Sequence, residues 1–307
     1  MSKASDLWWL FRRPTISIRT PQPLRTALRL MARKGFRHLP VVNGSWQVTS
    51  VLSAQNVLRE INSHFKDPQN IDRQELDSML HCLEKPVDAV PTLPPVLITR
   101  ETPIIEVIRL MSDTDMGAAV VVDAQRILQG IVTLRDMVYL LGSTTSKLGP
   151  TVQEVMTPKP VVAEEYATVS EAISLMAKHN VRRLPVFASK LDFTSLEGVI
   201  TSKDILRFLE SCLSYQLLQP SEALMTKISR LMTKGVASVE SEDDVRHAAY
   251  TMMALEIGGL SVRSGKGPMI GIVTERDLIH RLFKLKGPEF MERALNPKED
   301  VTEKPSW

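Results

Sequence analysis

Four times along the chain, apolar residues recur at intervals of three and four and then give way to a short unbroken apolar run. The helix-period segments are PLRTALRLMARKG, PIIEVIRLMSDTD, TVSEAISLMAKHN and DVRHAAYTMMALE, with Met31, Met111, Met176 and Met252 at equivalent positions. Such spacing gathers apolar side chains on one face of a helix. The runs that follow, HLPVV, AAVVV, RLPVF and GLSV, read as buried strands. Each is followed by a second strand passing into a second helix: VTSVLSAQNVLREI, LQGIVTLRDMVYLL, LEGVITSKDILRFL and MIGIVTERDLIHRL. From each marker Met to Ser50, Gly130, Gly198 or Gly271 in that strand, the chain runs 19, 19, 22 and 19 residues. The longer third gap holds the polar insertion SKLDFTS, which reads as an elongated hairpin.

An opening strand precedes each first helix, and the approach to it is shared as well. VDAVPTLPPVLI, VQEVMTPKPVVA and ISRLMTKGVASV align with Thr92, Thr157 and Thr233 in register, and WWLFRRPTISI is a rougher counterpart. The unit is strand, helix, strand, strand, helix, which sets the fold class as α+β built from α/β repeats. The expected boundaries are 1–66, 82–147, 150–213 and 225–286, with a polar helical connector at 67–81, a second connector at 214–224 and a mobile polar tail at 287–307. A unit of about 60 residues has little interior of its own, so the units are expected to pair over their open apolar faces.

Composition narrows the classes of function. The 43% apolar content is that of an ordinary globular protein. A net charge of +3 does not call for nucleic acid, and 5% aromatic residues argue against an array of base-stacking platforms. Cys82 and Cys212 are the only cysteines, which excludes a disulfide framework and a cysteine-only metal site; their apolar helical contexts read as core. No two of the six His stand at metal-ligand spacing, and no metal is expected. His179 and His247 read as helix-surface residues. No apolar run reaches transmembrane length. The N-terminal MSKASDLWWLFRRP has an apolar core too short for a signal peptide; Trp8, Trp9 and Phe11 read as a helix packed on the body, followed by Arg12 and Arg13. A cytoplasmic location is expected.

The most specific feature is the Gly-x-x-Thr-x-x-Asp line at Gly130–Asp136, Gly198–Asp204 and Gly271–Asp277. Thr133, Thr201 and Thr274 stand where a strand becomes a helix. Thr with an acidic residue three positions on makes a capping box, worth about 1 kcal/mol, and that alone could account for the motif. Three features point further. A glycine inside a strand marks close approach of backbone or ligand. A basic residue precedes each Asp, at Arg135, Lys203 and Arg276. Free N–H groups at a helix start attract anions. A carboxylate there can accept from a ribose diol while the hydroxyl and helix end meet phosphate. The first copy carries Ser53 and Asn56 instead; Asn56 has no charge, so weak ribose binding or a purely structural part is expected.

Three such lines at matching distance from matching helices resemble the cystathionine-β-synthase (CBS) domain family, over nearly the whole chain. Four units are similar to the AMP-activated protein kinase γ subunit and archaeal stand-alone CBS proteins. The resemblance implies two pseudo-twofold Bateman modules, each of two consecutive units with two clefts, stacked as a disc. It implies ribose and phosphate contacts from Thr133, Asp136, Thr201, Asp204, Thr274 and Asp277, with Ser53 and Asn56 in the altered copy. Phosphate contacts are implied for Arg37, His38, Arg182 and Arg183 before the second strands, beside Arg135, Lys203 and Arg276. Units two and four have Gly117-Ala118 and Gly258-Gly259 at that place, room without charge. The adenine-facing entrance falls on Thr92, Pro95, Thr157, Pro160, Val161, Thr233, Val236 and Ala237, although Pro95 and Pro160 also suit plain edge strands. The entrance of one unit is expected to serve the Asp of its module partner.

No Walker loop, His-Glu-x-x-His or nucleophile elbow is present, so the chain reads as a non-enzyme with no catalytic cofactor. The expected function is a sensor that binds AMP, ADP or ATP and reports to an effector protein. S-adenosylmethionine or NAD would use the same ribose contact. The alternative is a structural or interaction scaffold with vestigial clefts; membrane and nucleic-acid partners are disfavoured. In DILRFLESCLSYQLL, Ile205, Leu206, Leu209, Leu213 and Leu217 recur near helical spacing. They are expected to pack on the first module, with homodimerisation as the alternative.

Overall fold

The computed structural model describes residues 15–189 and 192–295, without the side chains of 192–194. Trp8, Trp9, Phe11, Arg12 and Arg13 lie outside the described residues. Repeat one comprises β1 (Ile18–Arg19), α1 (Leu24–Lys34), β2 (His38–Val42), β3 (Val48–Ser53) and α2 (Ala54–Asn62), followed by the connector helix α3 (Arg73–Cys82). Repeat two comprises β4 (Leu97–Ile98), α4 (Ile104–Asp113), β5 (Ala118–Val122), β6 (Leu128–Thr133) and α5 (Leu134–Ser143). A short α6 (Val152–Val155) and β7 (Thr157–Pro158) lead into repeat three: β8 (Ala163–Glu164), α7 (Val169–His179), β9 (Arg183–Ser189), β10 (Asp192–Thr201) and α8 (Ser202–Tyr215). After α9 (Pro220–Met225), repeat four comprises β11 (Ser238–Glu240), α10 (Val245–Ala254), β12 (Gly259–Arg263), β13 (Met269–Thr274), a π-helical turn (Asp277–Arg281) and α11 (Leu282–Ala294).

Each repeat builds one small mixed sheet. The opening strand runs parallel to the middle strand, which pairs antiparallel with the third: β1-β2-β3, β4-β5-β6, β8-β9-β10 and β11-β12-β13. A helix between parallel strands is the crossover such an order requires. The polar insertion lengthens β9 and β10. At the end of each first helix the chain turns through a left-handed residue: Gly35 (φ 71°), Asp115 (φ 55°), Asn180 (φ 53°) and Glu256 (φ 55°). Gly takes that conformation readily and Asn and Asp more readily than most residues, whereas Glu256 does so against preference.

The chain forms two compact units. One gathers residues 16–94 and 160–236, repeats one and three; the other gathers 95–159 and 237 onward, repeats two and four. In the first, α1 packs on α8 and α2 on α7 around Leu28, Leu58, Ile173, Leu206 and their neighbours. In the second, α5 packs on α10 and α4 on α11 around Ile108, Leu141, Val245 and Ile279. Helix packing thus joins alternate repeats. The helix at 205–215 finds its partner inside the chain: Ile205, Leu206 and Leu209 are buried, each worth about 1.5–3 kcal/mol when fully so, whereas Leu217 is 63% exposed. Cys82 and Cys212 are buried; His179 and His247 lie exposed on helices.

One expectation is overturned at the C-terminus. The tail read as polar and mobile from 287 is helical to Ala294 and packed, with Met291, Ala294 and Leu295 buried in the core of repeats two and four. Gly287 (φ 79°) and Pro288 break the helix there and redirect it, so the apolar stripe of GPEFMERAL was hidden by two residues that usually end helices. Among the described residues no helix is long and apolar enough to cross a membrane.

Candidate functional site

All four strand-to-helix corners are built alike. The cap residue lies directly across the hairpin from the residue opening the middle strand: His38 faces Ser53, Ala118 faces Thr133, Arg183 faces Thr201 and Gly259 faces Thr274. Paired residues share a face of the sheet, so His38 and Arg183 stand beside their caps. The preceding carbonyls of Arg37, Gly117, Arg182 and Gly258 accept from the N–H after the cap, at 2.9, 3.2, 3.0 and 3.2 Å. Thus the basic pairs flank the helix starts of repeats one and three, and glycine flanks those of two and four.

The acidic residue closes the corner. The Thr133 N–H and hydroxyl each donate to Asp136 Oδ2 at 2.7 Å. At Asp204 Oδ2 the corresponding bonds from Thr201 are 2.9 and 2.7 Å, and at Asp277 Oδ2 those from Thr274 are 2.8 and 2.7 Å. Capping alone consumes one carboxylate oxygen in each copy. The other oxygen distinguishes the copies.

In repeat four, Asp277 Oδ1 accepts from the Thr157 hydroxyl at 3.2 Å and pairs with Arg281 Nε at 3.1 Å. Arg281 also donates to the carbonyls of Val155 (3.3 Å) and Met156 (2.6 Å), binding the entrance of repeat three to the corner of repeat four. Arg281 stands four residues after Asp277, within the π-helical turn. Burial pushes the Asp277 carboxyl above its ordinary range, while Thr274 and the Arg281 guanidinium pull the other way. In repeat one, the Asn56 side-chain oxygen accepts from the Ser53 N–H at 2.9 Å, and its amide donates to the Pro91 carbonyl at 3.0 Å. Pro91 and Met156 occupy equivalent places before Thr92 and Thr157. The same entrance carbonyl is therefore tied down in both copies, once by an arginine and once by an amide that aspartate could not supply.

Repeat three is different. Its entrance crosses, as β7 does against β13 in repeat four, through a backbone pairing, here of Thr233 with Val199, both bonds 2.9 Å, but the carboxylate beside it is not tied down. A Cβ on Gly198 would lie 2.7 Å from the Thr233 carbonyl oxygen, and one on Gly271 would lie 2.8 Å from that of Thr157. These glycines admit the entrance backbone. Asp204 is half-buried, and among the described residues its Oδ1 has no protein partner, nor does any side chain bridge it to the Met232 carbonyl. For repeat two, the segment that would cross Asp136 lies mainly outside the described residues.

Three basic residues expected at phosphate sit elsewhere. Arg135 Nε donates to Glu275 Oε1 at 3.0 Å, and Arg276 pairs with Asp115. Lys203 extends over Gly35, its Nζ 3.0 Å from where a Cβ there would stand. All three lie where alternate repeats meet, beyond the reach of sequence reading because that pairing was not legible. Asp115, the left-handed residue, is also 3.8 Å from His280 Nδ1. Burial works against ionising Asp115, but His280 and the Arg276 guanidinium hold its carboxyl below the ordinary range. Burial likewise lowers His280, against the pull of Asp115.

The entrance residues divide between the two units: Thr92, Pro160, Val161, Thr233 and Val236 fall in that of repeats one and three, Pro95, Thr157 and Ala237 in the other. As expected, each entrance whose contacts are described serves the corner of its sequence neighbour: 91 that of repeat one, 157 that of repeat four, 233 that of repeat three.

Comparison with known proteins agrees with this construction. The CBS domain description matches residues 4–63, 87–143, 152–211 and 228–284. A Thermofilum pendens protein, named an uncharacterized 33.4 kDa protein in ribosomal RNA operon, is 30% identical over 271 residues, 86% of this chain and 87% of its own. Protein MJ1225 of Methanocaldococcus jannaschii is 24% identical over 261 residues, 83% of this chain and 91% of its own. The crystal structure of MJ1225, presented as a candidate archaeal homologue of γ-AMPK, matches in fold with a TM-score of 0.76 at 22% identity, over 89% of this chain and 98% of its own. With four matched repeats and a corner of one design in each, the chain belongs to the CBS-domain family.

Proposed function

We propose that the chain is a non-catalytic regulatory sensor that takes an adenosine-bearing ligand at the corner of repeat three. The observation that carries this is Asp204. Its cap-forming oxygen is used as in the other copies, and its second oxygen is left over at a helix start whose cap, Thr201, lies across the hairpin from Arg183. A carboxylate oxygen so placed accepts from a ribose hydroxyl, a charge-assisted bond worth about 1.5–3 kcal/mol. Arg183, Arg182 and the α8 N-terminus favour the phosphate end, because the first-turn N–H groups and the helix dipole attract anions. AMP, ADP and ATP fit this set, and S-adenosylmethionine and NAD share its ribose contact. The corner of repeat four is closed by Arg281 and that of repeat one by Asn56, which supports a structural part for those two copies. Bound ligand would bias the packing of α8, the helix Asp204 begins, and so report its state to an effector protein.

The deciding experiment is mass spectrometry of small molecules released from denatured purified protein, followed by calorimetric titration of the stripped protein with AMP, ADP, ATP, adenosine, S-adenosylmethionine and NAD. A nucleotide that co-purifies or binds, and that binds at least tenfold more weakly to Asp204→Ala, supports the reading. Absence of heat with all six, and of any co-purified nucleotide, leaves the scaffold as the better account.

A further inference from the structure

Away from the corners, three side chains able to bind a metal converge where the connector meets repeat one. Glu60 and His64 stand one turn apart at the end of α2, and Cys82 ends α3. A carboxylate oxygen of Glu60, a ring nitrogen of His64 and Cys82 Sγ all lie within 4.8 Å of one another. Glu60 Oε1 is 3.8 Å from His64 Nε2. Ligands on a tetrahedral zinc, with bonds of about 2.0–2.3 Å, stand roughly 3.3–3.8 Å apart. Small side-chain rotations of Glu60 and Cys82 would close the difference.

The surroundings suit a cation better than they suit the bare side chains. His64 Nε2 is buried and lacks a hydrogen-bond partner among the described residues, a costly state for a ring nitrogen. The opposite nitrogen, Nδ1, is 2.7 Å from Ser78 Oγ. That contact fixes the ring, and with Nδ1 as the donor it leaves the Nε2 lone pair facing Glu60 and Cys82, as outer-shell partners do for metal-bound histidines. Cys82 is buried, its Sγ within 4.8 Å of a Glu60 carboxylate oxygen. One positive charge already serves Glu60: Lys85 Nζ, at 2.8 Å from Oε1. The oxygen that faces His64 is this same Oε1, so a metal there shares it with Lys85 unless the carboxylate rotates to bring Oε2 into its place.

We propose that Glu60, His64 and Cys82 form a binding site for a borderline divalent transition metal, zinc above all, that clasps the connector helix to repeat one. One oxygen, one nitrogen and one sulfur ligand match the donor types zinc accepts, with the fourth position left to solvent. Binding releases the thiol proton to solvent and forms a thiolate–metal bond.

Cobalt(II) added to untagged, chelator-treated full-length protein tests this. The expected result is saturation at one equivalent, with thiolate-to-cobalt charge-transfer absorption that zinc abolishes. Cys82→Ser should lose that absorption, and Cys212→Ser should keep it. His64→Gln, at a half-buried position, should bind cobalt at least tenfold more weakly while keeping the native circular dichroism, which decides the matter should Cys82→Ser fail to fold. No thiolate absorption, its survival in Cys82→Ser, its loss in Cys212→Ser, or unchanged affinity in His64→Gln would each overturn the site.

Discussion

The chain contains its own control for the Asp204 corner, because repeat one shows what asparagine does there. Asn56 keeps the cap, accepting from the Ser53 N–H at 2.9 Å, and turns its amide to the Pro91 carbonyl at 3.0 Å. Asp204→Asn should do the same in repeat three, where the equivalent carbonyl belongs to Met232. The capping box survives, so the fold is expected to hold within about 1 kcal/mol, mostly the lost attraction of a carboxylate to a helix start. For a chain of this size that is a fall of no more than about 4 °C in Tm. The ligand-facing oxygen, however, becomes a donor already engaged by the entrance. Losing a charge-assisted bond of about 1.5–3 kcal/mol weakens nucleotide binding about 10- to 150-fold. Calorimetric titration beside a thermal melt separates the two effects. Unchanged affinity at unchanged Tm would mean that Asp204 only caps α8, and the ligand reading of this corner would fall.

Gly198→Ala forces its Cβ to 2.7 Å from the Thr233 carbonyl oxygen, so the entrance must shift; overpacking of about 1–3 kcal/mol is expected in denaturant unfolding, and an unchanged midpoint would contradict the close approach. Arg281→Gln leaves the buried Asp277 carboxylate without its cation. Its acid form is then favoured further in the folded state, so the variant should be less stable at neutral pH and recover as pH falls, whereas a loss equal at all pH values would show that Arg281 acts by packing. His280 is lowered by burial beside Asp115, Arg276 and Lys284, so the unfolded chain binds its proton more readily. The stability it contributes is complete above about pH 6.5 and is lost as pH falls through its folded value. His280→Asn should flatten Tm against pH below about 6.5, and an unaltered slope would acquit His280.

The repeat unit was legible because each part carries its own physical signature. Helix period, β-rich runs and a Thr-x-x-Asp corner recur at one spacing, and one amphipathic element confirms the next. Capping by Ser53, Thr133, Thr201 and Thr274 could be read directly, since a box spans only four residues. Which oxygen remains for a ligand could not. Nothing in the sequence singles out Arg281, and only the π-helical turn carries it back to Asp277 and the Met156 carbonyl. The basic residue before each Asp seemed to belong to phosphate, but Arg135 and Arg276 answer carboxylates on repeats distant in sequence. The helix beyond Gly287 was missed because Gly-Pro is a strong stop signal, and burial of Met291 and Leu295 outweighs it.

The pairing of alternate repeats has a consequence for synthesis. Each core is shared between the two halves of the chain, with contacts such as Gln55 to Met176, 121 positions apart, and Arg135 to Glu275, 140 apart. Sequence separation of that order slows folding, because the intervening loop must close before any contact rewards it. At about 5–20 residues per second on the ribosome, repeat two waits roughly 7–30 s for repeat four, its apolar helix faces uncovered meanwhile. A stop between repeats two and three would therefore produce half of each core and the whole of neither. Two such halves, made separately and mixed, are complementing fragments, and restoration of the melting transition on mixing would report the interleaving directly.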